Sequence, residues 1–442
     1  MLKNDKKIAN YWKFLPSEKK VECHLCPRNC KLKNGQDGFC RVRGNTDDVF
    51  YTYNFGKSIE ATVETIETEA VYHFRPGARI LSLGNIGCMM ACSFCQNWQT
   101  SQVKHLDIKN VKKYTPQEVV DMALSNHIDI ISWTYNDPVV WQEFVVETSK
   151  LAQANGIKTL YKSALYITAE PLAELIECID IFSISLKSMN AEVYRKVTKG
   201  RLQPVLDAIQ QIAKSDRHLE ISQLIVTGLN DNEEDATKTA RWIVKNLGQE
   251  IPLHFVAYHP AFRYTQPRTS TEKLLTARNL ALKEGIKYCY LGNIYHDNVS
   301  NTICENCGNM LVQRFGLTVH NRGLDDNNNC KKCGCKSPIV GKVEDEPKKN
   351  KTTSDKIIHF DWDDEIKSIH IVLDKGDAMA RQLIITRIPS KNATQYEMNQ
   401  GVDRLIISKS QTDETGIQIG LDNETEIQIL PVLDRAHFPV IN

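Results

Sequence analysis

The sequence has almost no net charge and no long apolar segment. Its 55 lysines and arginines nearly balance its 54 aspartates and glutamates, so we expect no general attraction to nucleic acid or to a membrane surface. No apolar run approaches the roughly 18 residues that a membrane-spanning helix needs. Residues 1–15 are charged and lack an apolar core, which argues against a signal peptide. We therefore expect a cytoplasmic protein without a nucleic-acid or membrane partner.

Cysteine, in contrast, is plentiful. The chain has 14 cysteines among 442 residues, and most of them fall into three clusters. In a chain without a secretory signal, such clusters indicate metal ligation rather than a disulfide framework. The pattern also favours a reducing compartment. Because the chain is longer than one ordinary domain, we expect several domains or one large domain with appendages.

The central cluster consists of Cys88, Cys92 and Cys95, spaced by three and then two residues. Three thiolates can hold three irons of a cubane iron–sulfur cluster. With no fourth cysteine nearby, we expect one iron to stay open to a small molecule. The alternatives are a zinc site and a buried group of reduced thiols. Zinc takes four tetrahedral ligands, and three cysteines without a local histidine serve it poorly. Residues 79–83 predict a buried strand that leads into this loop.

The spacing, with aromatic Phe94 before the last cysteine, resembles the signature of radical S-adenosylmethionine (SAM) enzymes. In that family the open iron chelates SAM, and one electron from the cluster cleaves SAM to a 5'-deoxyadenosyl radical. The resemblance makes Phe94 and Asn97 candidates for cofactor binding. It extends over residues 20–340 to the radical SAM proteins of the AmmeMemoRadiSam system, which are similar to activating enzymes of glycyl radical enzymes such as pyruvate formate-lyase. The segments that carry this further resemblance are 23–43, 72–77, 96–98 and 135–138.

A second cluster lies near the N-terminus and has four cysteines separated by turn-forming residues. Its members are Cys23, Cys26, Cys30 and Cys40. Too few apolar residues are present to hold such a loop by burial, whereas metal ligation can hold it. Thiolates suit both zinc and an iron–sulfur cluster, so both assignments stay open, and free thiols are the remaining alternative.

Helix and strand signals alternate through residues 70–300, as βα units require. Residues 115–118 form a capping box with proline at the first helical position. We count six or seven strands, and the resemblance implies an α/β fold, a partial TIM-like (β/α)6 barrel of radical SAM type with its chemistry at the C-terminal strand ends. Just before it, Glu64, Glu67 and Glu69 are expected on a solvated face, with a binding surface for a different partner as the alternative.

The ends of the predicted strands carry candidates for SAM contacts. Many radical SAM enzymes have Gly-Gly-Glu after the second strand, and this chain has Tyr135, Asn136 and Asp137 there instead. Carbonyl oxygens of that loop, or the side chains of Asn136 and Asp137, can accept hydrogen bonds from the SAM ammonium group. For Asp137 the alternative is a plain helix N-cap.

Two further candidates follow from the resemblance to activating enzymes. Lys187 closes the tripeptide 185–187, in which the family's lysine reaches the SAM carboxylate. Ser185 stands where the family has an acidic residue, which leaves the transferred reaction open. His254 is expected to end the sixth strand and to contact SAM, with a structural role as the alternative.

A third cluster follows the predicted barrel. Cys304 and Cys307 form one Cys-x2-Cys-Gly knuckle, and Cys330 and Cys333 form another. Two such knuckles predict a zinc-ribbon-like module, with a rubredoxin-like iron, a cluster or free thiols as alternatives. We expect it to act as a structural clip at the end of the barrel.

The C-terminal part has a period-two apolar pattern typical of five or six short strands in a small β-sandwich or barrel. We expect this domain to dock a partner. The predicted organisation is 1–69 for the N-terminal four-cysteine module and lead-in, 70–300 for the barrel, 301–342 for the zinc-ribbon-like module, 343–356 for a charged linker and 357–442 for the β domain.

These patterns predict a radical SAM oxidoreductase that uses a [4Fe–4S] cluster and SAM to abstract hydrogen from a substrate. A glycyl radical partner protein is one expected substrate, and a small molecule is the alternative. A one-electron donor such as flavodoxin or ferredoxin is the implied redox partner. A multi-cluster electron carrier would instead titrate without cleaving SAM, and a zinc-dependent scaffold would contain no iron.

Overall fold

The computed structural model describes Lys3, residues 5–294, His296 and residues 298–344, together with the backbone of seven strands beyond them. The chain divides into two compact units, Met1–Glu346 and Pro347–Asn442. This boundary falls inside the predicted charged segment 343–356. A search of the described residues finds no helix that is long and apolar enough to cross a membrane.

The first unit is built around a parallel sheet whose strands follow one another in chain order. Each strand pairs with the next in parallel register, as βα repeats require. The strands are β1 (Arg79–Asn85), β2 (Ile130–Thr134), β3 (Lys158–Ser163), β4 (Ile181–Leu186), β5 (His218–Ile225), β6 (Leu253–Ala257) and β7 (Cys289–Gly292). The predicted α/β class with a central parallel sheet is confirmed.

A helix connects each strand to the next. These helices are α1 (Pro116–Ser125), α2 (Gln142–Ala154), α3 (Ala169–Cys178), α4 (Leu202–Ala213), α5 (Glu233–Asn246) and α6 (Thr271–Lys283). The predicted capping box opens α1, because the Glu118 N–H donates to Thr115 Oγ1 at 3.2 Å and the Thr115 N–H donates to Glu118 Oε2 at 2.7 Å. Shorter helical segments are Ile66–Glu69, Trp98–Ser101, Val103–His105, Ile108–Asn110, Pro138–Trp141, Ala191–Val193 and the π-helical turn Tyr194–Thr198.

Two antiparallel strands extend the sheet beyond β1. Lys57–Thr65 pairs with β1, and Lys112–Lys113 pairs with Lys57–Thr65. The resulting sheet has nine strands in a linear order, with β7 at one edge and Lys112–Lys113 at the other. The size of the predicted barrel, a partial (β/α)6 unit, stays a prediction.

The two faces of the sheet differ in chemistry. On the helix face, buried residues such as Trp133, Tyr161 and Phe255 pack with the apolar sides of the helices in one core. On the opposite face, which we call the inner face, Ile80, Ile130, Leu160 and Ile181 form an apolar layer. Because side chains alternate along a strand, the next inner positions are two residues further on: Ser82, Ser132, Lys162 and Ser183.

The N-terminal residues form two small antiparallel sheets. One contains Lys7–Ile8, Val49–Thr52 and Arg43–Thr46, and the other contains Trp12–Leu15, Lys20–Cys23 and Lys31–Leu32. The guanidinium of Arg43 forms a buried ion pair with Glu143 of α2 at 2.9 Å. This pair, whose members are both buried, connects the N-terminal module to the helix layer.

The third cysteine cluster lies on a three-stranded antiparallel sheet of Thr302–Ile303, Met310–Phe315 and Thr318–Asn321. Arg314 joins this sheet to the segment before β1, because its guanidinium donates to the Tyr72 carbonyl, lies 4.2 Å from the Tyr72 ring centre and approaches Glu67 at 3.5 Å.

The second unit contains two antiparallel sheets. One sheet has the order Lys356–Asp361, Gly416–Leu421, Arg381–Ile388 and Ala393–Met398, and the other has the order Arg404–Ser408, Ile366–Leu373 and Ile427–Leu433. The described strands number seven, where the sequence pattern predicted five or six. Whether the sheets form a sandwich stays a prediction, as does partner docking.

Candidate metal and cofactor site

The loop that carries Cys88, Cys92 and Cys95 begins directly after β1. Asn85, the last residue of that strand, is buried, and its amide nitrogen lies 3.1 Å from the Gly87 carbonyl and 3.2 Å from the Asp137 carbonyl. The side chain thus ties the start of the loop to the loop after β2. This arrangement places the three cysteines at the C-terminal end of the parallel sheet, as predicted.

Gly87 permits a close approach between this loop and the N-terminal module. Its φ is +84°, and a Cβ built there would lie 2.8 Å from Val42 Cγ1 and 2.9 Å from the Cys40 carbonyl oxygen. A side chain would therefore be both strained and in collision. The path of the cluster loop depends on glycine at this position.

The three thiols are half-buried, and each of Cys88 and Cys92 has its pKa raised by a neighbouring thiol of the loop. Burial raises the pKa of Cys92 to about 12 and raises the pKa values of Cys88 and Cys95. The nearby Lys187 charge opposes this rise at Cys92 and Cys95. Because Cys92 and Cys95 in turn raise the pKa of Cys88, the thiols share one neighbourhood. Thiolates there need a bound cation to neutralise them, and iron supplies that charge.

The sulfurs of Cys88, Cys92 and Cys95 do not form a close one-metal set. Among the residues that the structure describes, one set of three or more potential ligands has all its ligand atoms within 4.8 Å of one another, and that set belongs to the third cluster. In a cubane cluster each thiolate binds a different iron, so a cluster does not need all its sulfurs within the reach of one ion. The arrangement is compatible with a [4Fe–4S] cluster and lacks the four close ligands that zinc takes.

Hydrogen bonds orient two of the three sulfurs. The Met90 N–H donates to Cys88 Sγ at 3.3 Å. The Ser101 hydroxyl lies 3.3 Å from Cys95 Sγ and works against the effect of burial on the Cys95 pKa. Such contacts to sulfur stabilise the charged thiolate and tune a cluster's potential.

Lys187 follows β4 and directs its charge toward the thiols. Its backbone is fixed from both sides, because the Lys187 N–H donates to the Tyr194 hydroxyl at 3.1 Å and Asn230 Nδ2 donates to the Lys187 carbonyl at 2.7 Å. Ser185 sits two positions earlier, opposite Ser222 of β5. The lysine thus follows the fourth strand and lies near the cluster loop, and its contact with the SAM carboxylate stays a prediction.

Tyr135 lies next to the end of β1 and has a left-handed backbone conformation, with φ at +65°. Gly84 makes room for the ring, since a Cβ there would lie 2.7 Å from Tyr135 Cδ2. Asn97 Nδ2 donates to the Tyr135 carbonyl at 2.6 Å. The structure therefore brings Asn97 and Tyr135 together beside the cluster loop.

Asn136 and Asp137 already have protein partners. Asn136 Nδ2 donates to the Asn85 carbonyl and to Thr100 Oγ1. The Asp137 carboxylate accepts from the Ser163 hydroxyl and the Ala164 N–H, each at 2.8 Å, and it also caps Pro138–Trp141 through the Val139 N–H. Asp137 is therefore a helix N-cap, as the alternative from the sequence proposed. Contacts of both side chains with SAM stay predictions.

Phe94 is buried against Val226 and Tyr258, so its ring packs beneath the loop.

The prediction that His254 ends the sixth strand is wrong. β6 continues to Ala257 because its pairing with β5 extends through that residue, so His254 lies near the start of the strand. Its role in binding SAM stays a prediction.

His254 belongs to a buried network on the inner face. Its Nε2 lies 2.7 Å from Glu220 Oε2, and Glu220 Oε1 accepts hydrogen bonds from the Tyr72 and His73 N–H groups at 2.9 and 2.7 Å. His218 Nε2 lies 2.9 Å from the same oxygen. Although burial opposes ionisation, the two histidines hold the pKa of Glu220 well below its usual value.

Lys162 is the centre of a second polar group that the sequence analysis missed. Its ammonium donates to the Glu69 carbonyl at 2.7 Å and to the hydroxyls of Ser183 at 3.0 Å and Ser222 at 3.4 Å. Burial lowers its pKa to about 8, against the opposing effect of the Glu69 charge. The sequence does contain a signal for this group, because polar residues occupy alternate positions of strands that are otherwise apolar. Strands covered on both faces are usually apolar throughout, so these polar residues indicate a polar site on one face of the sheet.

The expectation of a solvated acidic run is wrong for two of its three residues. Glu67 and Glu69 are buried. Glu69 accepts hydrogen bonds from Ser132 at 2.9 Å and Thr134 at 2.8 Å, and Glu67 accepts from the Gly77 N–H at 3.0 Å. These partners satisfy the carboxylates, which allows their burial.

The third cysteine cluster has the geometry of a one-metal site. Cys304 Sγ lies 3.6 Å from Cys333 Sγ, and Cys307 Sγ lies 3.6 Å from Cys330 Sγ. All four ligand atoms lie within 4.8 Å of one another. Zinc at about 2.3 Å from each of four tetrahedral thiolates places them about 3.8 Å apart, which matches. The four cysteines of the N-terminal cluster line a different cavity.

A parallel α/β sheet with a three-cysteine loop at its C-terminal edge is the architecture that the comparisons with known proteins can now place in a class. The Radical SAM superfamily model matches residues 84–243, which include the loop. An uncharacterised protein of Methanocaldococcus jannaschii is 38% identical over 325 residues, covering 73% of this chain and 96% of the relative. The chain belongs to the radical SAM superfamily, which implies a [4Fe–4S] cluster and SAM as cofactors.

Two further relatives are activating enzymes. The 4-hydroxyphenylacetate decarboxylase activating enzyme of Clostridium scatologenes is 27% identical over 32% of this chain and 48% of its own length. The pyruvate formate-lyase-activating enzyme of Streptococcus mutans is 24% identical over 42% of this chain and 72% of its own length. The chain thus spans about half of the first of these enzymes.

Proposed function

We propose that this protein holds a [4Fe–4S] cluster on Cys88, Cys92 and Cys95 and cleaves SAM reductively to abstract hydrogen from a substrate. When bound, the cluster and SAM supply one electron and a 5'-deoxyadenosyl radical that takes the hydrogen atom. The observation that carries the proposal is a loop with three half-buried thiols directly after β1, with the Lys187 charge beside two of them.

The chain's own residues position SAM. Lys187 carries the positive charge that pairs with the SAM carboxylate. The Tyr135 loop offers backbone carbonyls to the SAM ammonium group, and Asn97 holds that loop beside the cluster. Gly84 keeps the space above β1 open for the Tyr135 ring. Together these groups, which follow β1, β2 and β4 or lie at their ends, would hold SAM beside the cluster.

A glycyl radical partner protein is the favoured substrate. Relatives of this chain act as activating enzymes for 4-hydroxyphenylacetate decarboxylase and pyruvate formate-lyase, and the proposal transfers that reaction type to this chain. A one-electron donor of the flavodoxin or ferredoxin class would supply the electron. The second unit is the proposed docking element for such a partner.

A small polar molecule is the second candidate substrate. The inner face presents the Lys162 ammonium and serine hydroxyls instead of an apolar packing surface. Ser82 is fully buried there, and its hydroxyl has no hydrogen-bond partner in the described part of the chain. A polar ligand would satisfy that hydroxyl. Ser185, in place of the family's acidic residue, also favours a different substrate.

We also propose zinc for Cys304, Cys307, Cys330 and Cys333, because their spacing fits tetrahedral ligation. The metal would hold the three-stranded sheet against the segment before β1. The function of this zinc is structural, since the four thiolates complete its coordination and leave no open position.

Anaerobic reconstitution tests the proposal. The protein is loaded with iron and sulfide, mixed with SAM and dithionite, and assayed for 5'-deoxyadenosine. We expect product with the native chain and none with Cys92→Ala. Cys335→Ser is the matched control, because Cys335 is exposed and lies outside every proposed ligand set. A native chain that titrates reversibly without product would favour an electron carrier, and one with zinc but no iron would favour a scaffold.

A further inference from the structure

The N-terminal cysteines surround a single cavity. Cys23, Cys26, Cys30 and Cys40 all contribute to its lining, together with apolar side chains that include Leu25, Phe39, Phe50 and Met89. Cys23 and Cys26 are buried, and Cys30 and Cys40 are partly buried. Four convergent thiols in an apolar enclosure form a built ligand set instead of a group of scattered free thiols.

The spacing of these thiols separates zinc from a cluster. The four sulfurs of the C-terminal module satisfy the 4.8 Å limit for one metal ion, and they are the one set that does so among the described residues. No three of the N-terminal thiols therefore meet it, although all of them are described. Four thiolates that each bind a different corner of a cubane stand further apart than four on one zinc ion.

Gly38 lies beside two of the four thiols. A Cβ built on Gly38 would lie 3.8 Å from Cys30 Sγ and 3.9 Å from Cys40 Sγ, and Gly38 also lines the cavity. Cys30 and Cys40 therefore approach the same part of the cavity wall, as members of one ligand set would.

Two arginines supply positive charge to the cavity. Arg43 is buried and lines the cavity beside the thiols. Arg28 lies over the Phe39 ring at 3.4 Å and lines the same cavity. Four thiolates around a [4Fe–4S] core with charge +2 carry a net charge of about −2, which buried cations stabilise.

We propose that Cys23, Cys26, Cys30 and Cys40 hold a second [4Fe–4S] cluster, fully ligated by protein and adjacent to the SAM cluster. Arg28 Nε donates to the Met89 carbonyl at 2.6 Å, and the Met89 side chain lines the N-terminal cavity. Met89 directly follows Cys88, so the two metal sites meet at neighbouring residues of the chain. The second cluster has no open iron and does not bind SAM.

A variant without the SAM cluster tests this assignment. In Cys88→Ala/Cys92→Ala/Cys95→Ala, the N-terminal site is intact. After anaerobic reconstitution we expect about four irons and about four sulfides per chain, with one zinc ion in the C-terminal module. The dithionite-reduced cluster should give an electron paramagnetic resonance signal that SAM does not change. This readout needs no SAM cleavage, so it can succeed even where the proposed function fails.

Two further variants on that background serve as controls. Adding Cys30→Ser and Cys40→Ser should remove the remaining iron, whereas adding Cys304→Ser should remove zinc and leave the iron in place. Two zinc ions without iron, or an empty N-terminal site, would overturn the assignment. The native chain provides an independent measurement that does not depend on variant folding, with about eight irons expected for two clusters and about four for one.

Discussion

Lys187 brings a positive charge to the edge of the cluster loop. Its backbone is held by Tyr194 and Asn230, and its charge lowers the pKa values of Cys92 and Cys95 against the effect of burial. A lysine that already influences two ligands is well placed to pair with the carboxylate of a bound cofactor. Sequence matching found this residue because it ends a recognisable tripeptide.

Lys187→Ala should weaken SAM binding. Loss of a charge-assisted hydrogen bond costs about 1.5–3 kcal/mol, which corresponds to a rise of roughly 10-fold to 100-fold in the SAM concentration at half-maximal 5'-deoxyadenosine formation. Lys187→Arg should retain part of the affinity, because it keeps the charge. Lys196→Ala is the control, since Lys196 is exposed and pairs with Glu192. Equal SAM dependence in Lys187→Ala and Lys196→Ala would exclude the proposed contact.

His73 makes stability sensitive to acid. Burial lowers its pKa from 6.5 to about 3, so below pH 6.5 the unfolded chain binds a proton that the folded chain does not. The contribution of neutral His73 to the free energy of unfolding is fully present above about pH 6.5. It falls as the pH drops toward the folded-state pKa, by about 1.4 kcal/mol per pH unit. We expect His73→Asn to flatten the decline of the urea midpoint between about pH 6 and pH 4. Parallel slopes for the two proteins would contradict this assignment.

At the scale of elements, the cluster loop depends on contacts with the N-terminal module. Gly87 approaches Val42 and the Cys40 carbonyl so closely that no side chain fits. Asn85 ties the same loop to the one after β2. The loop is therefore fixed between two elements that are distant in sequence, which a local pattern cannot reveal.

Gly87→Ala should disrupt the cluster loop. Its positive φ alone costs about 1–2 kcal/mol, and the overlap with Val42 and Cys40 adds a steric cost. Gly156→Ala is a matched control, because Gly156 also has a positive φ of +73° but no atom within 4 Å of a built Cβ. We expect Gly87→Ala to lose iron and to unfold at a lower temperature than Gly156→Ala. Equal iron content and unfolding temperature in the two variants would show that the close approach is unimportant.

Sequence patterns predicted the local features of the fold well and its long-range features poorly. The capping box at Thr115 and the alternation of strands and helices depend on neighbouring residues, and both were found. The position of His254 depended on how far β6 pairs with β5, which lies outside the local sequence. The Lys162 group combines side chains from several strands and residue Glu69, so its members had no common motif.

At the scale of the whole molecule, the C-terminal cysteine module belongs to the first compact unit. Arg314 reaches from its sheet to Tyr72 and Glu67, and Arg75 forms ion pairs with Asp129 and Glu344. The module thus packs beside the segment that leads into β1. The two Cys-x2-Cys knuckles made this site easy to predict, whereas its attachment through Arg314 needed the structure.

Cys304→Ser should release zinc and loosen this attachment. Four-thiolate zinc contributes on the order of 10 kcal/mol or more in small modules, so we expect a lower unfolding temperature and faster proteolysis near residues 301–344. The iron content should be unchanged, because the iron ligands lie elsewhere. Cys335→Ser keeps the four proposed ligands and should retain zinc. Retention of zinc in Cys304→Ser would contradict the assigned ligand set.

One iron of the proposed Cys88, Cys92 and Cys95 cluster is expected to be open and to bind SAM directly. Electron–nuclear double resonance on the reduced protein with SAM labelled by ¹⁵N in its amino group and ¹⁷O in its carboxylate tests this contact. We expect hyperfine coupling from both labels to the cluster in the native protein and none in Cys92→Ala. A reduced native cluster that shows no coupling to either label under saturating SAM would contradict it.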